Sequence, residues 1–165
     1  MSQQSPNKDI GRGNFRPEAI VIHKSEGSFD SCLAWFTDSN SKVSAHYIIG
    51  PDGKVINLVD ESNTAWHAGV IAQPSWKLIK IATNPNLYTI GIELAGYATD
   101  DTPADQTLAL AHLIVDIAKR WEIPIDDQHI VFHREIRANK TCPGMYLSKM
   151  LIIFYALTIK KILNP

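Results

Sequence analysis

A chain of 165 residues, 45% apolar and 20% charged, is sized and composed for one globular domain with a single core. Its formal net charge of −1 and its scattered Lys and Arg argue against nucleic acid as a partner. The longest apolar run, 150–159, is about half the roughly 20 residues that a bilayer span needs, so stable membrane insertion is not expected.

Residues 1–15 form a polar arm without the apolar stretch of a secretory signal, which predicts a chain that is cytoplasmic at synthesis. The apolar run 19–23 reads as a buried strand. Residues 28–36 read as a helix, with Phe29, Leu33 and Phe36 at helical spacing and Ser28 available as its cap. Strands over 43–49 and 54–59 are joined through Gly50-Pro51-Asp52-Gly53 into a hairpin. The stretch 60–88 has no clear period and holds Trp66, His67, Pro74, Trp76 and Pro85; so long an irregular segment reads as a functional loop.

A strand resumes over 89–94. Pro103 and Asp105 open a helix over 106–121 whose inner face is Leu110, Leu113, Ile114, Ile117 and Trp121. Residues 129–133 form another short strand, and 146–163 a last helix with one buried face. Strands and helices alternate around a hairpin, which predicts a single α/β domain, a central mixed β-sheet flanked by helices. A monomer is the expected oligomeric state.

Two of these strands end in a histidine, His23 and His133, at the strand mouths where α/β sheets bind ligands. Nine residues after His133 lies Cys142, in Lys140-Thr141-Cys142-Pro143-Gly144. Two imidazoles and a thiolate suit Zn2+ at a catalytic site, which keeps three protein ligands and one open position. The other cysteine, Cys32, leaves a disulfide with Cys142 open as an alternative.

The segments Val21-Ile22-His23, Val43-Ser44-Ala45-His46-Tyr47-Ile48-Ile49, Asp52-Gly53, Ala65-Trp66-His67-Ala68-Gly69, Ile90-Gly91-Ile92-Glu93, Phe132-His133-Arg134-Glu135-Ile136 and Lys140-Thr141-Cys142-Pro143-Gly144 resemble, in order, the N-acetylmuramoyl-L-alanine amidases of the type-2 amidase and peptidoglycan-recognition superfamily. The resemblance implies zinc held by His23, His133 and Cys142. It implies Glu93 as general base and acid, and Lys140 as the cation that meets the transition state. It places His67 and Trp66 in the substrate cleft. In the phage and recognition-protein branch a catalytic Tyr occupies the position of Ala45, so the chain combines a phage-like Cys ligand with a recycling-like Glu.

The implied substrate is peptidoglycan or a muropeptide, cut at the bond between N-acetylmuramic acid and L-alanine. Three roles fit that activity: a phage-type endolysin, which is the primary expectation, a cytoplasmic amidase recycling anhydro-muropeptides, and an injected antibacterial effector. A non-catalytic recognition module and a structural zinc domain are the competing classes. Retention of Cys142 counts against the first, and the missing fourth ligand against the second.

Overall fold

The computed structural model describes residues 4–163. The first three residues of the expected arm, and 164–165, lie outside the described residues. Strands β2 (Ala19–Lys24) and β6 (Thr89–Leu94) are buried along their whole length. Toward one side they present Ile20, Ile22, Ile90, Ile92 and Leu94, and toward the other Val21, His23, Thr89, Gly91 and Glu93. The two pair in parallel, with His23 opposite Glu93. β7 (Ile130–Phe132) joins the free edge of β2, also in parallel. On the far side β3 (Tyr47–Ile49) runs parallel to β6 and antiparallel to β4 (Val55–Asn57). The order β4-β3-β6-β2-β7 is the mixed sheet that the sequence predicts.

Helices α2 (Ala104–Trp121) and α4 (Lys149–Leu163) cover one sheet face, burying Leu110, Ile114, Ile152 and Ala156 with Ile20, Ile22, Ile90 and Ile92. On the other face, the irregular stretch 60–88 lays Ala68, Trp76 and Tyr88 on Val21 and Val131. Helix α1 (Phe29–Thr37) adds Cys32 and Phe36 against Ile48, Ile56 and Leu58. Ser28 caps α1, its Oγ accepting from Ser31 N. Period-2 alternation therefore sends Ile22 and Ile92 to the helices and leaves His23 and Glu93 on the opposite side.

The expected strand over 43–49 is shorter. Residues 43–46 leave the ladder because Ser44 N donates to Trp66 O, while Ser44 Oγ donates to Asn7 O and accepts from Trp66 N. The polar arm is built into the fold. Lys8–Asp9 (β1) pairs antiparallel with Thr64–Ala65 (β5), and Ser5, Asn7 and Arg12 are buried. Arg12 donates to the carbonyls of Glu61, Asn86, Leu87 and Thr89, so its guanidinium satisfies backbone that the irregular stretch would otherwise orphan.

The strand expected over 129–133 is shorter, and a helical turn, α3 (His133–Ile136), follows it, so His133 opens the turn and does not end the strand. The last helix begins at Lys149 and not at 146, because Leu147 is buried and Ser148 Oγ receives Leu151 N. Helix α4 buries Ile152, Ile153, Ala156 and Ile159, yet Met150 and Phe154 on its outer side are 69% and 63% exposed. Both cysteines are free thiols, which closes the disulfide alternative. Among the described residues no helix is long and apolar enough to cross a membrane.

Candidate active site

The C-terminal ends of β2, β6 and β7 deliver His23, Glu93 and His133 to one point, and the loop after α3 brings Cys142 beside them. His23 Nδ1 lies 3.1 Å from His133 Nδ1 and 4.0 Å from Glu93 Oε1. One ligand atom each from His23, His133 and Cys142 falls within 4.8 Å of the others. Two nitrogens bound at about 2.1 Å to a tetrahedral ion stand about 3.4 Å apart, so the histidine pair has the spacing of a shared cation. Cys142 Sγ accepts from Lys24 N at 3.1 Å, a contact that favours thiolate.

The protonation of His23 can be worked out from a chain of hydrogen bonds. Pro85 O can only accept, so Thr89 Oγ1 donates to it at 2.7 Å. Thr89 Oγ1 therefore receives the Nε2 proton of His67, 3.2 Å away. That leaves His67 Nδ1 bare to accept from His23 Nε2 at 3.1 Å. His23 Nδ1 is then the unprotonated nitrogen, and it points at the ligand cluster. The donor set fits a divalent cation: a lone pair fixed toward His133, a second imidazole and a thiol.

Burial, more than any neighbour, sets the electrostatics. It holds His23 well below the usual imidazole range, with His133 and Lys140 adding repulsion. It lowers His133 to about 4, assisted by Lys140 and Arg137, so both rings are held neutral. The same burial, with the Glu93 charge, raises Cys142 to about 12. A bound cation would reverse that direction, because it stabilises the thiolate directly. Glu93, 8% exposed, is raised to about 8 by burial and then by Glu26, while Lys140 pulls it down. Its Oε2 has no hydrogen-bond partner among the described residues.

These groups line an open cleft of about 430 Å³, with Trp66, His67 and Lys140 on its walls. The seven residues that the resemblance places in the site thus lie around one cavity. His67 is there by virtue of Gly91: a Cβ at Gly91 would stand 2.4 Å from His67 Cγ. Trp66 is half-buried and its Nε1 donates to Asp9 of the arm. Trp76 is instead buried, stacked on Tyr88 with Nε1 bonded to Gln128 O, so it anchors its loop. Arg134 donates to Gly144 O and braces the loop that carries Cys142, while Glu135 accepts from Phe132 N and Lys149 and ties α3 to β7 and α4. His46 is buried and accepts from Gly91 N, a structural role.

Glu26 was not foreseen. It reaches the cleft wall, and its Oε1 accepts from Ala98 N. Nothing in its local sequence marks it, since only the return of 96–99 to its side gives it a place.

Residues 13–145 match the sequence family described as N-acetylmuramoyl-L-alanine amidase. Amidase A of Achromobacter lyticus is 39% identical over 83 residues, 50% of this chain and 39% of that protein. AmiD of Escherichia coli K12 is 37% identical over 147 residues, 78% of this chain and 49% of that protein. The chain therefore spans less than half the length of either relative. A crystal structure of AmpD superposes with a TM-score of 0.76 at 26% identity, covering 92% of this chain and 91% of AmpD. E. coli AmiD, in complex with anhydro-N-acetylmuramic acid-L-Ala-D-γ-Glu-L-Lys, superposes with a TM-score of 0.71 at 29% identity, covering 85% and 57% of the two chains.

Proposed function

We propose, for a chain that belongs to the N-acetylmuramoyl-L-alanine amidase family, that it hydrolyses the amide joining the lactyl group of N-acetylmuramic acid to L-alanine. The observation that carries this reading is the meeting of His23, His133 and Cys142 beside Glu93, whose Oε2 is unpartnered, in an open cleft. A structural metal site would be closed by a fourth ligand, and a recognition module would have no use for a buried carboxyl with a free oxygen.

His23, His133 and Cys142 would hold Zn2+. A bound zinc supplies Lewis acidity, polarising the amide carbonyl and acidifying water. Glu93 takes the proton of the attacking water and returns it to the leaving amine, and burial keeps its affinity for that proton near neutral pH. Lys140, on the cleft wall, presents its ammonium to the oxyanion as charge develops there, a contribution of a few kcal/mol. His67 orients His23 and is a positioning residue. Trp66 offers the cleft an indole face for the sugar or the stem peptide.

The test is mass spectrometry of stem peptide released from purified sacculi and from a soluble anhydro-muropeptide, for native protein and Cys142→Ala. Native release of peptides that begin at L-alanine, abolished in the variant, supports the reading. Native, zinc-loaded protein that releases none from either substrate overturns it. The two substrates also separate the roles: a lysin cuts sacculi, whereas a recycling amidase prefers the soluble fragment. The second role is favoured by the likeness to AmiD, which was crystallised with such a fragment.

A further inference from the structure

The cleft has a side arm. Next to the cavity that holds His23, Glu93 and Cys142 lies a groove of about 290 Å³ between the loop 25–27 and helix α1. Glu26, Trp35 and Phe36 line both, so the two spaces are continuous. Phe36 is buried and, with Cys32, anchors α1 to the sheet. Trp35, one residue earlier, takes no part in that contact and is 56% exposed. The helix does not need this indole for its own packing.

The backbone that carries Glu26 is fixed from both sides. Gly27 and Gly96 exchange two backbone hydrogen bonds, of 3.3 and 2.8 Å. A Cβ at Gly27 would stand 2.9 Å from Cys32 Sγ and from Ser31 Oγ, so the loop lies directly on α1. Glu26 itself has a φ of 56°, a left-handed conformation that is unfavourable for a residue with a Cβ. Its Oε1 accepts from Ala98 N at 3.0 Å, which holds the carboxylate along the cleft wall.

No Lys or Arg among the described residues pairs with Glu26. Lys24, just before it in the chain, is 4% exposed and gives its Nζ to Thr102 Oγ1. The other carboxylate of the cleft, Glu93, is buried. Glu26 is thus the one exposed carboxylate lining the cleft among the described residues, and an exposed indole shares its groove. A carboxylate beside an aromatic face selects a cation: one supplies the charge, the other its quadrupole.

We infer that Glu26 and Trp35 form a subsite for the side-chain ammonium group of a diamino acid in the stem peptide. The inference rests on the amidase reading, which puts the scissile amide at His23 and Glu93 and leads the peptide out along the cleft. In a stem peptide attached through its first residue, the L-alanine nitrogen is an amide and carries no charge. A side-chain amine further along is then the cation that this subsite takes. Its methylenes lie on the Trp35 indole while the charged end reaches Glu26.

The test compares two soluble substrates with the zinc-loaded full chain. One is anhydro-N-acetylmuramic acid-L-Ala-D-γ-Glu-L-Lys, the fragment found with E. coli AmiD, and the other its Nε-acetyl-lysine counterpart. Native protein should prefer the free amine about tenfold in kcat/KM, with the difference in KM. Glu26→Gln and Trp35→Leu should each lower that preference about threefold, and together abolish it. Any effect of Glu26 on Glu93 acts on both substrates and cancels in the ratio. Equal KM for the two substrates, or a preference that both variants keep, overturns the inference. If neither substrate is cut, the amidase reading fails, and calorimetric binding of the two fragments still decides. Equal affinities then overturn the subsite, and tighter binding of the free amine that Glu26→Gln removes supports it.

Discussion

His67 Nδ1 stands 3.1 Å from His23 Nε2, the two rings crossed at 87°. The contact fixes which His23 nitrogen is free for a ligand, and it is anchored through Thr89 to a backbone carbonyl. His67→Ala should therefore lower zinc affinity about 10- to 100-fold, the usual cost of losing the partner of a ligating histidine. Competition with a chromophoric chelator reads the change directly. An unchanged affinity would mean that the relay does not orient His23.

Glu93→Gln keeps shape and removes the proton acceptor. Release of stem peptide should fall about 10²- to 10⁴-fold, the range typical of general acid–base catalysis, while zinc affinity stays within a fewfold. Loss of both together would place Glu93 among the groups that hold the metal.

Arg12 tests the arm. It is 5% exposed, and its guanidinium serves four backbone carbonyls, held partly by the charge of Glu61 even as burial lowers it to about 10. Arg12→Met should cost about 2–4 kcal/mol in urea unfolding, since it strands several buried acceptors at once. A loss under about 0.5 kcal/mol, the scale of an ordinary surface change, would show that water replaces the guanidinium.

His46 sets an acid limit. Burial, then Arg12, lowers it to about 3, and its Nδ1 already accepts from Gly91 N. A proton there would face another donor. Between the ordinary histidine value near 6.5 and about 3 the unfolded chain binds a proton that the folded chain refuses. Stability therefore falls as pH drops through that window and is fully present above it. Histidine NMR titration should show His46 still neutral at pH 4, and protonation at pH 6 would disprove the assignment.

The parts of this molecule that could be read from sequence are those with local signals. Ser28 as a cap, the Gly50–Gly53 turn and the place of His23 near the end of its strand all depend on neighbours a few residues away, and all were legible, whereas His133 opens α3 just past β7. Arg12 was not, because its partners lie some 50 to 77 residues further along and are backbone groups without identity. Glu93 could be placed on the correct face by alternation, but its burial comes from the layer that 60–88 lays over that side. The outer face of α4 escaped for the opposite reason: an apolar run reads as core wherever the sequence cannot show which sides find a neighbour.

The three neighbouring strands beside the site come from 19–24, 89–94 and 130–132, with the earliest between the other two. A polypeptide emerging from synthesis can zip its strands 19–24 and 89–94 together and still own only one of the three proposed metal donors. His133 and Cys142 arrive with the last strand and the loop that follows it. Ion capture then becomes a clock for the end of folding, unlike small domains that a metal templates from the start. In stopped flow, uptake of zinc should lag the far-ultraviolet signal of the helices.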